Sequence, residues 1–282
     1  MTDGSCFGRE GTVREQATVY LVGAGPGDPE LLTVKAVRVL EQADVVVYDR
    51  LVSTDVMDLV PQGTARIYVG KAASNHHMAQ EDINGLLVKL AQNNRNVVRL
   101  KGGDPFIFGR GSEEAVHLAQ NGIPFEVIPG ITAASGISAS LGVPLTHRGM
   151  ATGVRFVTGH SRAGHELDLD WKSLADGQTT LVFYMGLANL SFIAERLVAE
   201  GLSPNTPAAA ISKGTVEGQR QCVSTLTGLA DEVAKLDLPS PALFVVGEVV
   251  SLAGVLNWQG LLYENASDEF EEQEVATISA HA

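Results

Sequence analysis

Between Arg99 and Glu114 the chain reads RLKGGDPFIFGRGSEE, a glycine-rich turn with a carboxylate, Asp104, where a phosphate cradle would present bare amides. Gly102 and Gly103 let a ligand approach the backbone, while the charge of Asp104 repels phosphate and suits an amine, a sulfonium or a ribose diol. Arg110, Glu113 and Glu114 follow within one short stretch. A second glycine loop, GAGPGDP, runs from Gly23 to Pro29 and invites a dinucleotide reading with Asp44 or Asp49 as the downstream acid. Its spacing fails: the third glycine would fall at Asp28, and Pro26 removes an amide that could face a pyrophosphate. No G-K-[ST] follows, so a P-loop is excluded as well. The pairs Asp28-Pro29 and Asp104-Pro105 also have a local explanation, as helix N-cap and first helical residue.

These loops need elements to carry them. Val19 to Val22 is a short apolar run broken by Gly23 to Gly27, after which Val34, Val37 and Leu40 recur at helical spacing before a second run, Val45 to Tyr48. A helix over Glu81 to Gln92, the strand NVVRL and a helix with Ser112 as N-cap repeat the unit, ending near Gly122. PFEVIP then reads as a strand and GITAASGISASLG as a closely packed helix of small residues. Beyond a junction near Met150 come VRFVTGH, TTLVFYMG, a helix from Leu187 to Glu200 closed by Gly201, TPAAAISK and PALFVVGEVV, with more antiparallel pairing expected. The pattern predicts an α/β protein of two α/β domains, 18–150 and 151–262, facing one another across a cleft. Residues 1–17 are expected to be a flexible N-terminus and 263–282 a disordered acidic tail.

The 282 residues, 45% of them hydrophobic, suffice for a sizeable core. A net charge of −13 argues against non-specific nucleic-acid binding. Glu264, Asp268, Glu269, Glu271, Glu272 and Glu274 supply six of those charges from the tail and are read as solvated. Cys6 and Cys222 form no C-x-x-C pair, and no apolar run or signal-peptide core suits a membrane, so a cytoplasmic protein is expected. The histidines lack metal-ligand spacing, His76 and His77 included, and no metal is predicted.

S-adenosylmethionine answers the description of the ligand that KGGDPF would suit. VGAGPGDPELLT, ADVVVYDRLVS, RLKGGDPFIFGRG, VIPGITAASG, GVPLTHR, LVFYMG and SPALFVVGEVV, in that order from about Val19 to Trp258, closely resemble the uroporphyrinogen-III C-methyltransferases of the tetrapyrrole methylase family. The resemblance implies two α/β domains, S-adenosylmethionine folded in the cleft with S-adenosylhomocysteine as its product, and a homodimer. It also implies two methylations of uroporphyrinogen III, at C2 and C7, giving precorrin-2 for sirohaem, cobalamin or haem d1 synthesis. It assigns Pro26, Gly102, Gly103, Asp104, Ile107, Thr132, Ala133, Met185, Gly214 and Ala242 to the cofactor. Read alone, Thr132 and Ala133 would be helix packing and Met185 core.

Methyl transfer from a sulfonium is a displacement at carbon, so alignment is the main task of such a protein. Attack by a pyrrole carbon leaves a cationic ring that must lose a proton, for which Asp49, Lys71, Arg110 and Glu113 are the candidates. The resemblance implies Asp49 as acceptor and Lys71 as donor. Arg110 keeps its proton in ordinary surroundings and is read first as a substrate-orienting cation held by Glu113. A substrate with eight carboxylates needs local cations in an acidic protein, and Arg110, His147 and Arg148, with Met185, are the substrate-binding candidates. Arg155, His160 and Arg162 are weaker ones, and the two arginines are read as solvated. Ser112 stands where relatives often have glycine, and Lys213 where they often have asparagine. No dehydrogenase and chelatase module of the kind fused to some relatives is seen, so a stand-alone methyltransferase is expected. Competing readings are a methylase of a later corrin intermediate, an NAD-dependent oxidoreductase and a non-catalytic tetrapyrrole carrier.

Overall fold

A computed structural model describes residues 17–70, 78–93, 95–160, 167–258 and 260. The expected flexible N-terminus (all but Ala17) and acidic tail lie outside them, as do Lys71, His76, His77 and Arg162. The first sheet is built from β1 (Val19–Gly23), β2 (Val45–Tyr48), β3 (Ala65–Tyr68), β4 (Val97–Lys101) and β5 (Phe125–Ile128). Its order is β3-β2-β4-β1-β5 and every pairing is parallel.

Both faces of this sheet are covered, which explains the near-continuous apolar runs. Val22, Val46, Val98 and Leu100 meet Ala36, Val39 and Leu40 of α1 (Val34–Glu41) and Val56 and Met57 of α2 (Thr54–Asp58). Val19, Leu21, Val45, Val47 and Val97 meet Ile83, Leu87 and Val88 of α3 (Gln80–Gln92) and Ala115 and Leu118 of α4 (Gly111–Gln120). Each large side chain so buried contributes about 1.5–3 kcal/mol. Strand β3 has no counterpart among the runs read from the sequence, because it is an edge strand whose ARIY residues are largely exposed.

The second sheet takes β6 (Gly153–Thr158), β7 (Thr179–Tyr184), β8 (Pro207–Ser212), β9 (Arg220–Thr225) and β10 (Ala242–Val246), in the order β6-β7-β10-β8-β9. Only β6 and β7 run parallel, as the antiparallel expectation for this half anticipated. One face packs on α6 (Trp171–Leu174), α7 (Leu190–Ala199) and α8 (Leu229–Leu236). The other is covered by α5 (Ala133–Leu141), whose Ala134, Ile137 and Leu141 meet Val182, Ala209, Ile211 and Val245. Helix α5 follows β5 of the first sheet, so it joins the two halves through a shared core.

Candidate active site

Strands β1, β4 and β5 are neighbours, and the loops at their carboxyl ends are knitted together. Ala24 N donates to Lys101 O (2.7 Å), Gly25 N to Gly103 O (3.2 Å) and Gly103 N to Gly25 O (2.6 Å). The loops approach so closely that a Cβ on Gly23 would lie 2.5 Å from Gly130 N and 2.7 Å from Gly103 O. Gly103 itself turns with φ +69°, which favours glycine. The crevice beyond the carboxyl ends of a parallel sheet is where such folds take ligands.

Asp28 caps a 3-10 turn, Pro29–Leu31, through Glu30 N as expected. Asp104 does not begin a helix. Its two carboxylate oxygens accept from Phe106 N (2.8 Å) and from Gly130 N (3.1 Å), so it ties the β4 loop to the β5 loop. Gly111 N donates back to Pro105 O (2.9 Å), and this closed turn postpones the helix to Gly111. The expectation of Ser112 as N-cap is therefore corrected: Arg110 holds the cap position in the left-handed conformation, and Ser112 lies inside α4.

The edge of the second sheet that meets these loops carries the other motifs. Register pairs Leu243 with Tyr184 and Ala242 with Ser212, so Met185, the Lys213–Thr215 turn and Ala242 share one sheet edge. Tyr184 joins the halves: its hydroxyl lies 2.5 Å from Thr132 Oγ1 and accepts from Ala134 N at 3.0 Å, and its ring packs 4.8 Å from that of Phe108. The phenol thus serves the first turn of α5, whose cap residue Thr132 makes no cap bond of its own. Burial pushes the Tyr184 hydroxyl above its ordinary pKa and keeps it protonated. Pro26 packs against Gly136 of α5, and Val216 against Gly27, while Ile107 and Ala133 border the α5 core.

Six non-glycine residues among those described have positive φ, and five stand in these loops: Phe108, Arg110, Met185, Lys213 and Thr215. Each such conformation costs of order 1–3 kcal/mol and is held only where surrounding structure over-determines it. Met185 is 52% exposed, so it belongs to the loop surface and not to the core its residue type alone suggested.

Behind the loops lies a charged cluster that the motifs did not reveal. Arg99 and Lys101 are buried on β4, on the face covered by α3 and α4. Glu114 Oε1 accepts from Arg99 Nε (3.1 Å), Lys101 Nζ (3.0 Å) and Gln80 Nε2 (3.2 Å), while Arg99 Nη2 reaches Asp49 Oδ2 at 2.9 Å. Burial, then the neighbouring Arg99, lower the pKa of Lys101 below its ordinary value. The signal was present in NVVRLK: two cations two residues apart in a buried strand must share one face and need an acid there. Glu114, in the first turn of α4, is that acid.

Arg110 and Glu113 form a bidentate pair, Nε to Oε1 at 2.8 Å and Nη2 to Oε2 at 2.7 Å, with both side chains about half exposed. The hydrogen bond that Arg110 donates to Glu113 holds Arg110 above the usual guanidinium range, and the same bond holds Glu113 below the usual carboxylate range. Arg110 is thus a fixed cation at the rim. A hollow of about 240 Å3 adjoins Asp49, with Leu51, Gly70, Gln80 and Ile83 in its lining.

His147 and Arg148 stand on an exposed turn closed by the His147–Ala151 bridge, and no hydrogen bond or ion pair among the described residues joins them to Arg110 or Glu113. Arg155 is engaged by Ser173 (2.7 Å to O, 2.8 Å to Oγ), and His160 is exposed. The structure thus gathers Pro26, Gly102, Gly103, Asp104, Ile107, Thr132, Ala133, Met185, Gly214 and Ala242 around two facing edges, with Asp49 and the Arg110–Glu113 pair on the first. Such an arrangement can hold a compact cationic ligand against close backbone and offer a carboxylate and a rim cation to a second molecule.

Known proteins resemble this chain in sequence and in fold. The siroheme synthase of Acinetobacter baylyi is 55% identical over 240 residues, which is 85% of this chain and 52% of that protein. The chain thus spans about half the length of the curated relatives it matches. A uroporphyrin-III C-methyl transferase from Thermus thermophilus, solved in complex with S-adenyl homocysteine, superposes with TM-score 0.71 at 42% identity over 83% of this chain and 93% of that one. A cobalt precorrin-4 methyltransferase of cobalamin biosynthesis superposes with TM-score 0.76 at 26% identity, over 85% and 99%. Residues 18–230, which carry the first sheet, four of the five strands of the second and the glycine-rich loops of the crevice, match the family described as Tetrapyrrole (Corrin/Porphyrin) Methylases, and the chain belongs to that family.

Proposed function

We propose that this chain transfers methyl groups from S-adenosylmethionine to carbon atoms of uroporphyrinogen III, at C2 and C7, giving precorrin-2. The observation that carries the reading is the meeting of the Gly23–Gly27, Gly102–Asp104 and Gly130–Thr132 loops with the Met185, Gly214 and Ala242 edge, with Asp49 just past the end of β2 and Arg110 in the loop that follows Asp104. These residues fit the cofactor: backbone is held close without side chains in the way, and Asp104 supplies a carboxylate that suits an amine or hydroxyl ligand. The cofactor supplies an electrophilic methyl on sulfur.

The protein's own residues supply position and proton management. Arg110, fixed by Glu113, offers a substrate carboxylate a cation that does not give up its proton. Its work is orientation, because a guanidinium held this way is a poor base. Asp49, partly exposed beside the hollow, is the carboxylate placed to receive the proton released after transfer, with Leu51 N and Arg99 holding its two oxygens. Lys71 follows Gly70 of that hollow in sequence and is kept as the proton donor. His147 and Arg148 are kept as contacts for the remaining carboxylates. The homodimer, the cytoplasmic location and supply to sirohaem, cobalamin or haem d1 synthesis follow from the resemblance, and the first is checked by sedimentation.

The experiment is anaerobic incubation with uroporphyrinogen III and methyl-labelled S-adenosylmethionine, followed by mass spectrometry of the tetrapyrrole. Two labels per macrocycle are expected. Cofactor binding without incorporation rejects the substrate and favours a later corrin intermediate, a reading that the likeness to the precorrin-4 enzyme keeps in view.

A further inference from the structure

We infer that Arg99 is a positioning residue that aims the Asp49 carboxylate at the substrate, anchored from behind by Glu114. The inference rests on the function proposed above. Arg99 is 3% exposed and Glu114 fully enclosed, so neither reaches a ligand in the crevice, and any effect they have on chemistry passes through another side chain. Arg99 commits every nitrogen: Nε to Glu114 at 3.1 Å, Nη1 to Leu100 O at 2.9 Å and Nη2 to Asp49 Oδ2 at 2.9 Å. A planar guanidinium pinned at three points cannot turn without breaking one of them, so the direction of Nη2 is fixed by the sheet.

Asp49 gains the most from this. It stands just past the end of β2 and is a quarter exposed. Leu51 N takes Oδ1 at 3.0 Å and Arg99 takes Oδ2, so the carboxylate plane is set from two sides while one face stays open to the hollow. Glu114 in turn is held by Lys101 and Gln80, so the anchor reaches from β4 to both covering helices. The four charges cancel, two cations against two carboxylates. A neutral buried cluster of this kind is often replaceable by apolar packing without loss of stability, which leaves orientation as its distinctive contribution.

The test measures turnover of uroporphyrinogen III with S-adenosylmethionine and, separately, calorimetric binding of S-adenosylhomocysteine. Arg99→Met with Glu114→Gln removes one cation and one carboxylate together, so the net charge of the cluster is unchanged, and the new amide oxygen can still accept from Lys101 Nζ. Its kcat should fall roughly 100-fold with KM nearly unchanged, as expected when a reacting group is displaced by about an ångström. Arg99→Lys keeps a cation but cannot span both carboxylates, and it should lose about tenfold in kcat; it serves if the double variant fails to fold. Adding Asp49→Asn to the double variant should cost nothing further, because the two changes act on one step. Unchanged kcat in the folded variants, or losses that multiply with Asp49→Asn, overturn the positioning role alone. Absence of methyl transfer by the unaltered protein overturns the proposed function and this role with it.

Discussion

The phenol of Tyr184, at the end of β7, stands 2.5 Å from the hydroxyl of Thr132 and takes the amide hydrogen of Ala134, so the second sheet supplies the cap of a helix that follows the first. Tyr184→Phe leaves that amide and hydroxyl without their partner in a part-buried place. The loss should be about 1–2 kcal/mol, seen as an affinity for S-adenosylhomocysteine about fivefold to thirtyfold weaker by titration calorimetry. Unaltered affinity in the folded variant would separate α5 capping from the cofactor site.

The approach of Gly23 to Gly130 and Gly103 leaves no volume for a methyl group, and the atoms in the way are backbone. Gly23→Ala should therefore pull β1 and β5 apart at their carboxyl ends. A loss of stability of about 2–4 kcal/mol in urea unfolding is expected, by the reasoning for overpacked sites, together with loss of cofactor binding.

Lys213 holds φ +50° where the resemblance leads one to expect asparagine, the residue that tolerates the left-handed region best after glycine. Lys213→Asn should raise stability by about 0.5–1 kcal/mol and leave cofactor affinity intact. A drop in thermal midpoint would show that the lysine side chain makes its own contribution.

Arg110 and Glu113 are about half exposed, so their pair adds less than about 1 kcal/mol to folding despite its bidentate form. Glu113→Gln should barely shift the melting temperature yet raise the KM for the polycarboxylate substrate severalfold. In the folded state Glu113 is depressed below 4.5, so its small stabilisation is present above 4.5 and fades as pH falls through the folded value. A variant lacking Glu113 should lose that part of the acid dependence.

Lys101 contributes with the opposite sign. Its folded pKa lies below 10.5, so between that folded value and 10.5 the unfolded chain holds more protons, and stability from this group rises with pH. Below the folded value the full desolvation cost is present. The stability difference between the unaltered protein and Lys101→Met should therefore shift in favour of the former as pH climbs toward 10.5, measured by urea unfolding at a series of alkaline pH values.

The apolar runs Val19 to Val22, Val45 to Tyr48 and TTLVFYMG announced their strands, and the loops at Gly23 and Gly102 stood where the crevice forms. Strand identity depends on local composition and spacing, which a sequence carries openly. Strand β3 stayed hidden because an edge strand needs no buried face, and the start of α4 was misplaced because Gly111 bonds back to Pro105.

What the sequence determined by itself was most of the strands of the two sheets and the glycine-rich loops between them. Tertiary structure alone decided which residues meet. Asp49 and Arg99 are fifty positions apart and become partners only because β2 and β4 lie side by side, and Arg99 and Glu114 only because α4 folds back over that sheet. Tyr184 reads as one more apolar strand residue until the packing of α5 on the second sheet brings the two together. Strand order and helix placement are set by the global burial of apolar faces, and short sequence windows hold no record of which distant strand will be the neighbour.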